Sequence, residues 1–195
     1  MSRTPRPGLD RGKVVEAAMD LVNEKGIHEL TISSLAAKLK IQPPSLYNHI
    51  SGMQDLLDEL ALVNSHLLAQ RLGEAALGKS GEKLFIAAAQ AFRDHVKSNP
   101  GLYMATLRSS ALEAELHPAL KAEDDRIVQI GVAIMNSIGL EGQDAIHGLR
   151  GFRSMVHGFA SLEVAGGFGL PEDCDESFRR LVSGLLKGLL VEKGN

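Results

Sequence analysis

The stretch TISSLAAKLKIQPPSLYNHISG, Thr31 to Gly52, holds two short runs of helical periodicity on either side of a break. Ile32, Leu35, Ala36 and Leu39 fall at i, i+3, i+4 and i+7, one buried helix face, and Thr31 stands before them as a good N-cap. Lys40-Ile41-Gln42 interrupts the pattern. A second helix then begins near Pro44, because proline suits the first helical position, where its missing N–H is not needed. Pro43 precedes another proline, which disfavours α conformation there and sharpens the turn. Leu46 and Ile50, four residues apart, anchor this second helix, and Ser51-Gly52 ends it. Its outward face is left to Ser45, Tyr47, Asn48 and His49.

Two helices of this length joined by a short turn have the dimensions of a helix-turn-helix, whose second helix enters the major groove of DNA. The outward residues fit that use. Asn48 can pair bidentately with adenine, and Ser45 can meet several base edges. The Tyr47 hydroxyl and a His49 ring N–H can donate to phosphate oxygens. A helical hairpin with a solvated polar face satisfies the same periodicity. Charge leans towards the first alternative: residues 1–52 carry seven lysines and arginines against five acids, a net +2, while the rest of the chain carries 14 against 19, a net −5. A slightly basic head on an acidic body suits a polyanion at the head.

Helical periodicity extends along the whole chain, and strand patterning is nearly absent. Before the quoted stretch, a helix is predicted from Arg11 to Lys25, with Val14, Ala18, Leu21 and Val22 on one face and Gly26 as its stop. After it, helices are predicted over about 53–77, 81–99, 102–110, 118–138, 144–164 and 176–190. The expectation is an all-α chain of about nine helices. Residues 1–52 form a compact three-helix head behind a flexible basic arm, 1–9, and residues 53–195 a larger helical body.

Composition narrows the function. An apolar share of 44% with 23% charged residues is that of a globular protein. No run approaches the roughly 18 apolar residues of a membrane span, and the first residues lack a secretory apolar segment. The single cysteine, Cys174, fits a reducing cytoplasm and reads as an ordinary thiol. Seven histidines invite a metal or a general base, yet no HExxH, CxxC or HxxxH spacing occurs. Nucleophile-elbow, P-loop and dinucleotide-binding glycine patterns are absent too. No catalytic residue, metal or cofactor is expected.

The run Thr31 to Leu57 resembles the N-terminal domain of the TetR family of bacterial repressors, whose pattern is a Thr cap, Leu-Ala, a Gly-Val turn, Leu-Tyr-x-His-Phe and a following Leu-Leu. The likeness covers about residues 10–60. It implies phosphate contacts from Thr31, Tyr47 and His49, and base contacts from Pro43, Ser45, Asn48 and Ser33. It also implies that the arm residues Arg3 and Arg6 enter the minor groove. Three positions depart from the pattern. Lys40 stands at the turn glycine, so the turn must avoid positive φ or bear strain. Ile50 replaces phenylalanine, and Met53 replaces a lysine used on phosphate, for which Lys38 or Lys40 could compensate.

In the body, Gly151 to Pro171 resembles a TetR subgroup named for a Trp-His-Gly signature, here Met155-Val156-His157-Gly158 without the tryptophan. The run AFRDHVKSNPGLYMATL is similar to a helix of that subgroup ending His-Pro-Gly-Leu-Tyr, with Asn99 in place of His. Gly151, Met155, Gly158 and Leu162 share one helical face, and the last helix offers Phe178, Leu181, Val182 and Leu185. Small residues let helices approach closely. These two surfaces suit the family's dimer seam, a four-helix bundle, although they could also pack within one subunit. A second stripe, Arg150, Ser154, His157 and Ser161, faces either a ligand chamber or water. Arg150 and Arg153 suit an anionic effector. His95 and Tyr103 are candidate chamber residues, as are Phe92 and Met104 unless they are plain core; His157 reads equally as a satisfied core histidine. The resemblance implies a ligand-responsive repressor that binds a palindromic operator as a homodimer and is released by a small molecule. A DNA-binding protein of the same fold without an effector is the alternative. Double-stranded DNA, an unidentified small molecule and a second copy are the expected partners, with no membrane.

Overall fold

The computed structural model of the protein describes residues 8–107 and 117–192. Arg3, Arg6 and the expected basic arm lie outside the described residues, apart from its last two positions. Nine α-helices are present among the described residues: α1 (Arg11–Lys25), α2 (Ile32–Leu39), α3 (Pro43–Leu46), α4 (Met53–Ala76), α5 (Gly81–Ser98), α6 (Pro100–Thr106), α7 (Pro118–Ser137), α8 (Gly142–Val164) and α9 (Cys174–Glu192). A 3-10 turn at Ile27–Glu29 leads from α1 towards α2.

The chain packs as two compact units, and neither is one continuous stretch. The first runs to Asn64 and takes in Pro100–Lys121 as well; the second is Ser65–Asn99 with Ala122–Asn195. The boundary expected after residue 52 falls inside the first unit.

In the first unit, Asp10 caps α1 by accepting from the Lys13 N–H at 2.9 Å, and Gly26 ends the helix at φ 86°. Val14, Ala18, Leu21 and Val22 are buried as the periodicity predicted. Thr31 and Ser34 form a reciprocal capping box at the start of α2, both bonds at 3.0 Å. Of the face expected to be buried on α2, Leu35 and Ala36 are, but Ile32 and Leu39 remain half-buried at its borders. An eight-residue helix packed on one side covers its central positions first.

The turn after α2 bears the strain that its lysine raised. Lys40 takes φ 57° and ψ 43°, the one positive-φ residue other than glycine among those described. Its N–H reaches the Ala37 carbonyl at 3.1 Å, and the Ile41 N–H reaches the Ala36 carbonyl at 3.0 Å. This paired pattern closes a helix through a left-handed residue and is normally built on glycine. A Cβ in that region costs roughly 1–2 kcal/mol, part of which glycine returns through its freedom in the unfolded chain. Lys40→Gly is therefore expected to stabilise the protein by about 1 kcal/mol, read as a raised midpoint in denaturant unfolding.

The helix after the turn departs from expectation at both ends. Pro43, expected outside it, occupies its first position, and Gln42 before it takes the extended conformation, φ −79° and ψ 142°. The pre-proline restriction thus falls on Gln42, while a helix's first turn, with no preceding carbonyls to clash, accommodates two prolines. Regular α geometry ends at Leu46, short of the expected Ile50. Tyr47, Asn48 and His49 continue as tighter turns, their N–H groups reaching three residues back to Pro44, Ser45 and Leu46. Leu46 and Ile50 are nonetheless fully buried, so the anchoring holds.

The first unit also gains α6. Gly101 comes so close to α1 that a Cβ built on it would lie 1.8 Å from the Val22 carbonyl oxygen. The Asn23 Oδ1 accepts from the Leu102 N–H at 3.0 Å, satisfying a donor of the first turn of α6. Leu102, Tyr103 and Ala105 are buried.

In the second unit, α5 packs against α8 and α9. Phe85 and Phe152 meet edge to face with ring centres 5.0 Å apart. The core also takes Phe92, Val96, Ile134, Met135, Val156, Ala160 and Leu186. Phe178 and Val182, expected on a seam between subunits, are 2% and 3% exposed within this unit. Their helix is apolar on more than one face, and these residues line the inner one.

Candidate nucleic-acid interface

The head presents the expected polar face because its apolar neighbours are consumed by packing. Leu46 is 0% and Ile50 2% exposed, whereas Tyr47 between them is 57% exposed. Asn48 is exposed, and Ser45, Pro43 and His49 are half-buried on the same short segment. Thr31 and Ser33, at the start of α2, are exposed as well. The first-turn amides and the dipole of α2 favour an anion at that end. The Thr31 hydroxyl already serves Ser34 in the capping box, so it takes part in holding the helix start.

The two lysines differ. Lys40 is exposed in its left-handed turn. Lys38 is turned towards α1, its Nζ 3.2 Å from a Glu24 carboxylate oxygen and 3.8 Å from one of Asp20. In this arrangement it braces α2 against α1. Met53, the third departure from the expected pattern, is half-buried at the start of α4.

A clamp that the sequence did not reveal holds this face in place. The Arg11 guanidinium donates from Nη1 to the His49 carbonyl at 2.9 Å and to Asp55 Oδ2 at 3.0 Å. Its Nη2 donates to Asp55 Oδ1 at 2.5 Å and to Glu59 Oε1 at 2.7 Å. Asp55 also accepts from the Ser51 N–H at 2.7 Å. One side chain at the start of α1 therefore fixes the end of the segment that follows α3 and the first turns of α4. The Arg11 fork, and then the Ser51 N–H, hold the Asp55 carboxyl well below the usual carboxylate range. Asp10 is also held low, chiefly by the Lys13 N–H, with a smaller contribution from nearby His49.

The residues suggested for an effector chamber divide between the two units. Tyr103, buried, and Met104, 40% exposed, belong to the first unit. Phe92 and His95 are buried in the second, while Arg150, Arg153 and Ser154 are exposed on α8 and His157 is half-buried. Burial, and then the positive charge of Arg71, push the His95 imidazole down to about 4, so it is neutral at pH 7. The second unit has an open cleft of about 440 Å3 at the α8–α9 corner, lined by Phe159, Phe168, Leu170, Glu172, Cys174 and Ser177 with two glycines. None of the suggested chamber residues lines it. On the outer faces of α8 and α9, Gly151, Met155, Gly158 and Leu185 are half-exposed, Leu162 is 52% exposed and Leu181 43%. No helix among the described residues is long and apolar enough to cross a membrane.

Known proteins match along the whole chain. Residues 14–60 fit the family of tetR bacterial regulatory proteins, and residues 85–185 fit the tetracyclin repressor-like C-terminal domain. The chain is 31% identical to the uncharacterized HTH-type transcriptional regulator YobS of Bacillus subtilis, covering 98% of both chains. It is 48% identical to the class D tetracycline repressor protein of Escherichia coli over 54 residues, which are 28% of this chain and 25% of that one. Among solved structures, a protein of unknown function from Rhodococcus sp. RHA1 superposes with a TM-score of 0.76 at 21% identity, over 97% of this chain and all of the other. A TetR variant from Acinetobacter baumannii AYE in complex with minocycline gives 0.69 at 24% identity, over 93% and 96%. The chain belongs to the TetR family of DNA-binding transcriptional regulators, a family of regulators rather than enzymes, commonly repressors with a ligand-binding C-terminal domain.

Proposed function

We propose that this protein is a homodimeric repressor that binds a palindromic operator in the cytoplasm and is released from it by a small molecule held in the body. The observation that carries the DNA part is the exposure of Tyr47 and Asn48 between buried Leu46 and Ile50. That alternation spends the apolar side chains on the fold and leaves the polar ones for a duplex. In this reading Thr31, Tyr47 and His49 hold phosphates, and Ser33, Pro43, Ser45 and Asn48 meet bases. Lys40 adds a backbone contact, and Lys38 joins it on exchanging Glu24 and Asp20 for a phosphate.

Two recognition segments must sit about 34–36 Å apart to enter successive major grooves, which requires two copies of the chain. The half-exposed glycines and exposed leucines of α8 and α9 support a symmetric contact between copies there. The effector shifts the dimer away from the DNA-competent form only to the extent that it binds the DNA-free form more tightly. Arg150, Arg153, Ser154 and His157, with Phe92, His95, Tyr103 and Met104, remain the residues proposed to meet it.

Selection of operators from random DNA, followed by gel-shift titrations, tests the reading. Tyr47→Ala removes a neutral phosphate contact and is expected to weaken binding to all sequences about tenfold, with the salt dependence unchanged. Asn48→Ala is expected instead to relax the choice of base at one position of each half-site. Parent-like binding by both variants would overturn the assignment of this face. Release of the bound operator by candidate metabolites separates the inducible reading from a regulator without an effector.

A further inference from the structure

Arg93 lies in the C-terminal half of α5, and its side chain is 2% exposed. Its Nε and Nη2 donate to the two carboxylate oxygens of Glu163, each at 2.7 Å, a bidentate fork on the last turn of α8. Its Nη1 lies 2.8 Å from Asp175 Oδ1, in the first turn of α9. The guanidinium also sits over Phe159 of α8 at 5.4 Å and Phe178 of α9 at 4.8 Å from the ring centres. Lys97 adds a 2.7 Å bond to Glu163, so two cations meet two carboxylates. One buried side chain thus touches both helices of the corner through both charge and ring contacts.

The corner itself has few constraints of its own. The Gly166 and Gly167 N–H groups close α8 onto Glu163 and Leu162, with Gly166 at φ 69°. Phe168 then rests on Phe159 at 4.7 Å, and Gly169 to Asp173 are exposed. The packing of α8 on α9 along their length, with Leu185 beside Gly151 and Leu189 beside Gly148, makes one surface of their outward faces, and the corner sets the register at its end.

We propose that Arg93 is the positioning residue for self-association: it pins the start of α9 to the end of α8 and so sets the surface on which a second copy docks. The proposal rests on the homodimer reading above. A chain with a loosened corner populates the docking form only in part, and apparent affinity falls by that fraction. The fraction enters once for each copy, so it acts twice on the dimer.

Sedimentation over a concentration series of the full chain, alongside circular dichroism, tests this with three variants. Arg93→Lys keeps the charge but lacks the fork that reaches two carboxylates at once. It is expected to raise the dimer Kd by about tenfold or more with helix content unchanged, the scale of one charge-assisted hydrogen bond. Asp175→Asn changes a side chain that is 77% exposed, so the fold is retained even where an Arg93 variant fails to fold; it is expected to weaken the dimer in the same direction. Glu176→Gln, one residue on, removes a partner of Arg179 and Arg180 and is expected to dimerise as the parent does. Lower melting temperatures with a parent-like dimer Kd in both Arg93→Lys and Asp175→Asn overturn the proposal, leaving Arg93 a stabiliser of the fold alone. A parent chain that is monomeric at every concentration overturns the homodimer reading itself.

Discussion

Gly101→Ala is expected to destabilise the first unit by about 3 kcal/mol or more, the upper range for forcing atoms into a filled space. The added Cβ would sit 1.8 Å from the Val22 carbonyl oxygen and 2.2 Å from its carbon, both backbone atoms that no rotamer change can move. Helix α6 must then withdraw from α1 by more than an ångström. That motion breaks the Leu102–Asn23 hydrogen bond and exposes part of buried Leu102, Tyr103 and Ala105. Gly73→Ala in α4 is the matched control, because nothing lies within 4 Å of its added Cβ. There alanine is the better helix former, and a gain of about 0.5–1 kcal/mol is expected. Urea unfolding of the two variants beside the parent decides the matter; equal and small effects would mean that α6 does not close on α1.

The second large effect is acid sensitivity from His95. Its side chain is buried, and its protonation in the folded chain is pushed down to about 4 from an ordinary 6.5. Between those values the unfolded chain binds a proton that the folded chain refuses. Stability therefore falls as pH drops from 6.5 to 4 and this contribution levels off below 4, with a total loss of about 3 kcal/mol. Glu163 and Asp55, whose pKa values are depressed by Arg93 and Arg11, act in a separate and more acidic window. Their contribution is full above the ordinary carboxylate range and is lost as they protonate below it. His95→Gln removes the first window and spares the second. Unfolding free energies measured at half-unit intervals should show a sloping parent and a nearly flat variant between pH 6.5 and about 5, above the carboxylate window; a flat parent would contradict the assignment.

Short-range chemistry made much of the head legible. The cap residue Thr31, the stop at Gly26, and the i, i+4 pair Leu46 and Ile50 each act over a few residues, and each is found as expected or nearly so. The family pattern within Thr31 to Leu57 likewise needs no knowledge of packing. What escaped is long-range. Arg11 finds Asp55 and Glu59 from 44 and 48 residues away, and Arg93 finds Glu163 from 70. Periodicity reports which side of a helix is apolar but not which partner arrives. A signal for Arg93 was present: a cation among Phe85, Ala89, Phe92 and Val96, on the apolar side of its helix. The burial of Phe178 and Val182 within one unit escapes for a related reason, since a helix apolar on more than one face does not disclose which is the inner one. The expected chamber residues come in part from a stripe that the fold leaves partly exposed.

The discontinuity of the first unit has a consequence for how the protein comes into being. The bond from Leu102 to Asn23 spans 79 residues, so α1 lacks one of its packing partners until α6 has been synthesised. At about 5–20 residues per second, the nascent DNA-reading segment waits several seconds on the ribosome before it can close. During that interval Val22 and the turn at Ile27 are without part of their cover, a natural point of engagement for chaperones. A fragment cut at residue 52 would make that interval permanent: it keeps every side chain proposed to touch DNA, yet lacks Asp55, Glu59 and α6.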